Sequence, residues 1–125
     1  MLQNVADTLG ALHKLLIGEA RGAYEKAQGP IASTSAFLRL LMEDPYFRWL
    51  RALSGAMADL DELIDEEEDP THEQAREVAL RFEALVTEGD EAGEFGVRYR
   101  EFLQRSPEVV MAHAAVRLAL RPLGR

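Results

Sequence analysis

The chain contains no cysteine. That excludes a disulfide framework, a thiolate nucleophile and a thiolate-held zinc or iron–sulfur site, and it fits a reducing compartment. Aromatic residues are sparse, with one tryptophan, three tyrosines and five phenylalanines, and they fall at helical intervals rather than as a base-stacking platform. No apolar run approaches the ~20 residues needed to cross a bilayer. Met1–Asp7 has neither a basic segment nor a sustained apolar one, so secretion and membrane insertion are not expected and the cytoplasm is the default location. Positive charge is also short, since 14 Lys and Arg against 22 Asp and Glu give a formal charge of −8. Such a chain repels a phosphate backbone instead of releasing its counterions, so nucleic-acid binding is not expected. A nucleophile elbow, a phosphate-binding loop and a dinucleotide fingerprint are all missing, which leans the reading away from an enzyme.

What is present is helical periodicity. At 125 residues with 47% hydrophobic content, one core can form, and a chain of this size buries roughly two thirds of its unfolded surface. Leu2, Val5, Leu9, Leu12, Leu16, Ala20, Ala23 and Ala27 step by three and four and predict a helix over 2–28, closed by Gly29-Pro30. Ser33, Thr34 and Ser35 are N-cap candidates for a short helix over 35–43. Asp44-Pro45, Asp69-Pro70 and Ser106-Pro107 each read as a capping residue followed by proline at the first helical position. They open helices over 45–66, 70–88 and 107–120. Glu88-Gly89-Asp90 is expected to turn the chain into a further helix over 91–105. The 107–120 segment is apolar almost all round except at His113 and Arg117, which predicts a central helix. Residues 120–125 are expected to fray. The expectation is one all-α domain spanning 1–125, a compact bundle of five to six helices with 2–28, 45–66 and 107–120 at its core.

Three constellations are candidates for function. The first is acidic, with Asp59, Asp61, Glu62, Asp65, Glu66, Glu67, Glu68 and Asp69 within eleven residues. It fails as a calcium loop because Ile64 stands where glycine is needed and Pro70 where a bidentate glutamate is needed. Carboxylates one turn apart at the negative end of a helix dipole predict fraying after Ile64. The segment is either a solvated turn or, through Asp65, Glu66, Glu67 and Glu68, a docking surface for a basic partner. The second constellation is the pair His13 and His113, each within an apolar helix; they are structural histidines, or ligands to haem, a metal or a small molecule if their helices meet. No Glu-x-x-His pair of a di-iron bundle is present, and Asp69-x-x-His72 sits at a helix start, where capping accounts for it. The third is Arg48 and Arg51 beside Trp49, with Tyr46 and Arg39 nearby, a basic patch for an acidic segment or for the chain's own carboxylates.

The run Asp44-Pro45-Tyr46-Phe47-Arg48-Trp49-Leu50-Arg51-Ala52-Leu53-Ser54, with Asp61-Glu62 following, resembles a segment of small uncharacterised bacterial helical proteins. Pro107-Glu108-Val109-Val110 and Ala112-His113-Ala114-Ala115-Val116-Arg117 are similar to the end of the same proteins. The resemblance covers about a third of the chain. It implies a bacterial cytosolic protein and transfers no activity, cofactor or site residue.

The reading that follows is a non-enzymatic interaction or regulatory protein without a cofactor. It is expected to be homodimeric, because several long apolar stripes in so small a chain exceed what one copy can cover, and a further protein partner fits the same reading. The alternatives are a ligand-binding or sensory bundle using His13, His113 and Trp49, and an acidic nucleic-acid mimic that holds a basic protein through residues 59–69.

Overall fold

Local chemistry sets most of the boundaries in the computed structural model, which describes residues 1–87 and 93–124. Helix α1 spans Leu2–Gln28 and ends at Gly29, whose φ of 91° lies in the left-handed region. A side chain is disfavoured there, so glycine is the residue that lets the helix close. The Gly29 amide donates to the Glu25 carbonyl at 2.8 Å, and the Glu25 carboxylate accepts from the Ile31 amide at 3.0 Å. Of the three N-cap candidates, Ser33 serves: its hydroxyl accepts from the Ala36 amide at 3.1 Å and opens α2, Thr34–Glu43.

Asp44 caps as its sequence implies, with Oδ1 accepting from the Tyr46 amide at 2.8 Å. What it opens differs from the expected 45–66 helix. Pro45–Leu50 is a 3-10 segment, and the α-helix α3 runs Arg51–Glu66. The reason is packing. With three residues per turn, Phe47 lines up with Leu50, and Tyr46 lines up with Trp49. Phe47, Trp49 and Leu50 are thereby buried and Tyr46 is half-buried.

The next helix also starts elsewhere than expected. Helix α4 spans His72–Thr87, and its cap is Thr71 rather than Asp69. The Thr71 hydroxyl accepts from the Gln74 amide at 3.0 Å, and the Gln74 side chain accepts from the Thr71 amide at 2.8 Å. This reciprocal box satisfies two orphan amides where Asp69 would satisfy one, so it wins over the Asp-Pro start. Thr71→Ala is expected to cost about 1 kcal/mol in urea unfolding, and Asp69→Ala less than about 0.5 kcal/mol. The reverse order would restore the Asp69 cap.

Residues 88–90, read as a turn, and Glu91, read as a helix start, lie outside the described residues. Helix α5 is Gly93–Arg105. Ser106 then caps α6, Pro107–Leu120, accepting from the Val109 amide at 3.3 Å with Pro107 in the first turn. Arg121–Gly124, expected to fray, is a 3-10 turn whose Leu123 is 2% exposed. An apolar residue three positions beyond the helix end, in a turn packed on α4, is enough to hold it.

Among the described residues there are six α-helices and no strand, which is the expected all-α bundle. Helix α1 lies antiparallel to α6. Its first turn and Leu123 border one groove, while Leu15–Lys26 and Glu108 border another. The core runs along Leu2, Val5, Leu9, Leu12, Leu16 and Ala20 of α1 and is completed by residues of every other element. The 3-10 segment joins two aromatic groups. On one side Tyr24, Tyr46, Phe47 and Phe37 meet edge-on or tilted at 5.0–5.8 Å. On the other, Trp49 lies 5.7 Å from Phe102 and 5.8 Å from Phe95.

Candidate functional site

The arginine–tryptophan patch does not exist as a surface. Trp49 is buried between Phe95 and Phe102, because the 3-10 segment turns it inward. Arg48 and Arg51 remain exposed. Arg51 was expected to pair with carboxylates; it instead donates from its guanidinium to the Met42 carbonyl at the end of α2. A cation at that C-terminus meets the negative end of α2's dipole, so the basic start of α3 is compensated within the chain. Arginines elsewhere lie over rings, Arg21 over Phe37 at 4.7 Å and Arg105 over Phe102 at 5.0 Å.

At the acidic end, α3 continues to Glu66, two residues beyond the expected fraying point, and the Glu67 amide still donates to the Leu63 carbonyl at 3.0 Å. Asp59 is paired with Arg81 of α4 at 2.7 Å. Both partners are half or more exposed, so this pair adds little stability. Asp65, Glu66, Glu67 and Glu68 are exposed. Glu67, Glu68 and Asp69 edge a groove whose apolar wall includes Leu2, Ile64 and Leu123.

The histidines face different neighbours. His13 borders a small pocket with Leu41, Phe47 and Leu50. His113 of α6 shares a 2.7 Å hydrogen bond between Nδ1 and the Tyr99 hydroxyl of α5. Their ring centroids are 5.6 Å apart. The pair fits the structural role, since the imidazole satisfies a buried phenol. Burial pushes the Tyr99 hydroxyl's pKa up. Among the described residues, no three His, Asp or Glu side chains are grouped to hold a metal ion.

Burial holds His13 below the usual value of 6.5. His113 is lowered by burial first and by Arg117 second, against an opposing pull from Glu83 of α4. A lowered folded value means that the unfolded chain binds more protons once pH drops toward 6.5. The stabilisation from these neutral rings is therefore complete above about pH 6.5 and is lost as pH falls through their folded values. Urea midpoints should decline as pH falls below about 6.5 toward the folded values of these rings, and His13→Gln with His113→Gln should flatten that decline. A midpoint that rises as pH falls over that range would contradict the assignment.

The least expected surface belongs to α6. Val109, Val116, Ala119 and Leu120 are buried, chiefly against α1. The opposite side is open: Met111 is 74% exposed, Leu118 60% and Val110 46%, with Ala114 and Ala115 exposed between them. These five residues step by three and four along one stripe. The sequence's all-round apolarity was read as a central helix; α6 does pack on α1, α4 and α5, yet it keeps a second apolar face in the open. Between Val110 and Leu120 there is no carboxylate, and Arg117 is the only permanently charged residue. Comparison with protein-family models, curated proteins and solved structures gives no match. Among the described residues, no helix is long and apolar enough to cross a membrane.

Proposed function

We propose that this is a non-enzymatic interaction protein that works as a homodimer, with the outer face of α6 as the contact. The observation that carries the reading is the uninterrupted exposed stripe Val110, Met111, Ala114, Ala115 and Leu118. A row of apolar side chains at helical spacing, with small residues at its middle, suits the close approach of a second helix. Charge favours a second copy on this face. With a net charge of −8, two copies meeting through most surfaces bring carboxylates together. The α6 stripe brings none, and Glu108 at its start is balanced by Arg117 and Arg121 near its end.

Size sets the strength. Fourteen residues make a helix about 21 Å long, and a contact confined to it falls below the roughly 800 Å² per partner of a standard interface. Dissociation in the micromolar range is the expectation. A symmetric contact uses the same patch on both copies, so a residue near the middle of the stripe approaches its own equivalent.

The absence of cysteine makes the test clean. Ala114→Cys should form a covalent dimer rapidly under mild oxidation. Glu73→Cys, on the exposed outer side of α4, should not. Equal and slow cross-linking of both variants would place the contact elsewhere or remove it.

A further inference from the structure

We propose that the groove between the start of α1, the end of α3, the start of α4 and the Arg121–Gly124 turn docks a basic peptide segment of a protein partner, one in which aliphatic side chains are flanked by Lys or Arg. The groove shares no residue with the α6 stripe, and the proposal does not rest on the dimer reading. It measures about 400 Å³, within the roughly 300–1,000 Å³ of ligand-binding clefts. Leu2, Ile64, Ala75 and Leu123 form its apolar wall, and Glu67, Glu68 and Asp69 edge it. Those three acidic residues are exposed, so solvated carboxylates stand beside an apolar surface.

Charge decides the occupant. Three carboxylates, even set against the α-amino group of Met1, leave the groove net negative. Among the described residues none of the three forms an ion pair or a side-chain hydrogen bond, whereas Asp59 pairs with Arg81, Glu25 with Arg21 and Glu101 with Arg98. They follow directly on the end of α3, where the helix dipole is negative, and the last turn of that helix carries no basic residue. No ion pair among the described residues relieves this repulsion, and a cation from a partner does. A metal ion is not the cation, since among the described residues no three carboxylate or imidazole side chains are grouped to hold one. Glu67 is extended, with φ −111° and ψ 109°, so the acids leave the helix one after another along the chain. Separated carboxylates suit several separated cations, and the adjoining apolar wall suits aliphatic side chains between them. A second copy of a chain with net charge −8 is disfavoured on this rim, as is a phosphate backbone.

The probe is the end-capped hexapeptide Lys-Arg-Leu-Leu-Arg-Lys, with Lys-Arg-Ser-Ser-Arg-Lys as its polar counterpart, titrated into the full chain and followed by NMR shifts of backbone amides and methyl groups. Saturable shifts centred on Ile64, Glu67, Glu68, Asp69, Ala75 and Leu123 are expected. The leucine peptide should bind about tenfold more tightly than the serine peptide, the difference that partial burial of an aliphatic side chain supplies. Binding of both should weaken as salt is raised, because the rim charges are exposed. Glu67→Gln with Glu68→Gln and Asp69→Asn should weaken the leucine peptide about tenfold or more and flatten its salt dependence. Ala75→Leu, which narrows the groove, should remove the preference for leucine over serine. Absence of saturation at millimolar leucine peptide, shifts centred elsewhere, or equal affinity for the two peptides would overturn the proposal. The comparison of the two peptides on the unaltered chain decides the matter even if a variant fails to fold.

Discussion

Replacing Trp49 with alanine is expected to cost about 3–5 kcal/mol of stability, the usual loss for deleting a large buried aromatic. For a domain whose total stability is about 5–15 kcal/mol, that is a large fraction. The side chain is 4% exposed, stacked on Phe102 with an interplanar angle of 22° and tilted at 39° to Phe95. Its loss leaves a cavity where the 3-10 segment meets α5, and the aligned ring contacts go with it. Because Trp49 is the only tryptophan, the variant has no tryptophan fluorescence, and urea unfolding must be followed by far-ultraviolet circular dichroism. Trp49→Phe retains a ring and should cost less. Arg48→Ala, one residue away but exposed, should stay within about 0.5 kcal/mol. A loss below about 1 kcal/mol for Trp49→Ala would contradict the burial of this ring between Phe95 and Phe102.

The second large effect concerns assembly. Ala114→Glu places a carboxylate in the middle of the α6 stripe and, in a symmetric dimer, places two of them close together. Juxtaposed like charges at an interface cost several kcal/mol, so the dissociation constant should rise about a hundredfold or more. The folded monomer should be spared, because Ala114 is exposed and glutamate is a good helix former. Unchanged circular dichroism with lost association is the combined signature. Loss of both would point to a structural role for Ala114.

The helices were largely legible in the sequence because steps of three and four on α1, α3 and α4 coincide with their buried faces. The Ser33, Asp44 and Ser106 caps were legible as well, since each supplies an oxygen directly before a helix start. What misled is specific. Asp69-Pro70 had the composition of a start, yet Thr71 and Gln74 form a two-bond box three positions apart, and that signal was present but outranked by the proline. The burial of Phe47 falls where the chain tightens to three residues per turn over 45–50, a change of spacing that a continuous 45–66 helix does not contain. In α6, apolarity on all sides does not distinguish a helix surrounded by its own chain from one with an unpartnered face, and only the position of α1 separates the two. His13 and Arg51 border one cavity from helices far apart in sequence, a juxtaposition that no local pattern encodes.

The central claim is that the outer face of α6 joins two copies of this chain. Sedimentation velocity of the unaltered protein from about 1 to 200 micromolar, beside Ala114→Glu under the same conditions, tests it most directly. The account predicts a concentration-dependent shift from one chain mass to twice that mass for the unaltered protein, and a single monomeric species for the variant throughout. A monomer at every concentration, or a dimer that Ala114→Glu leaves intact, would contradict it.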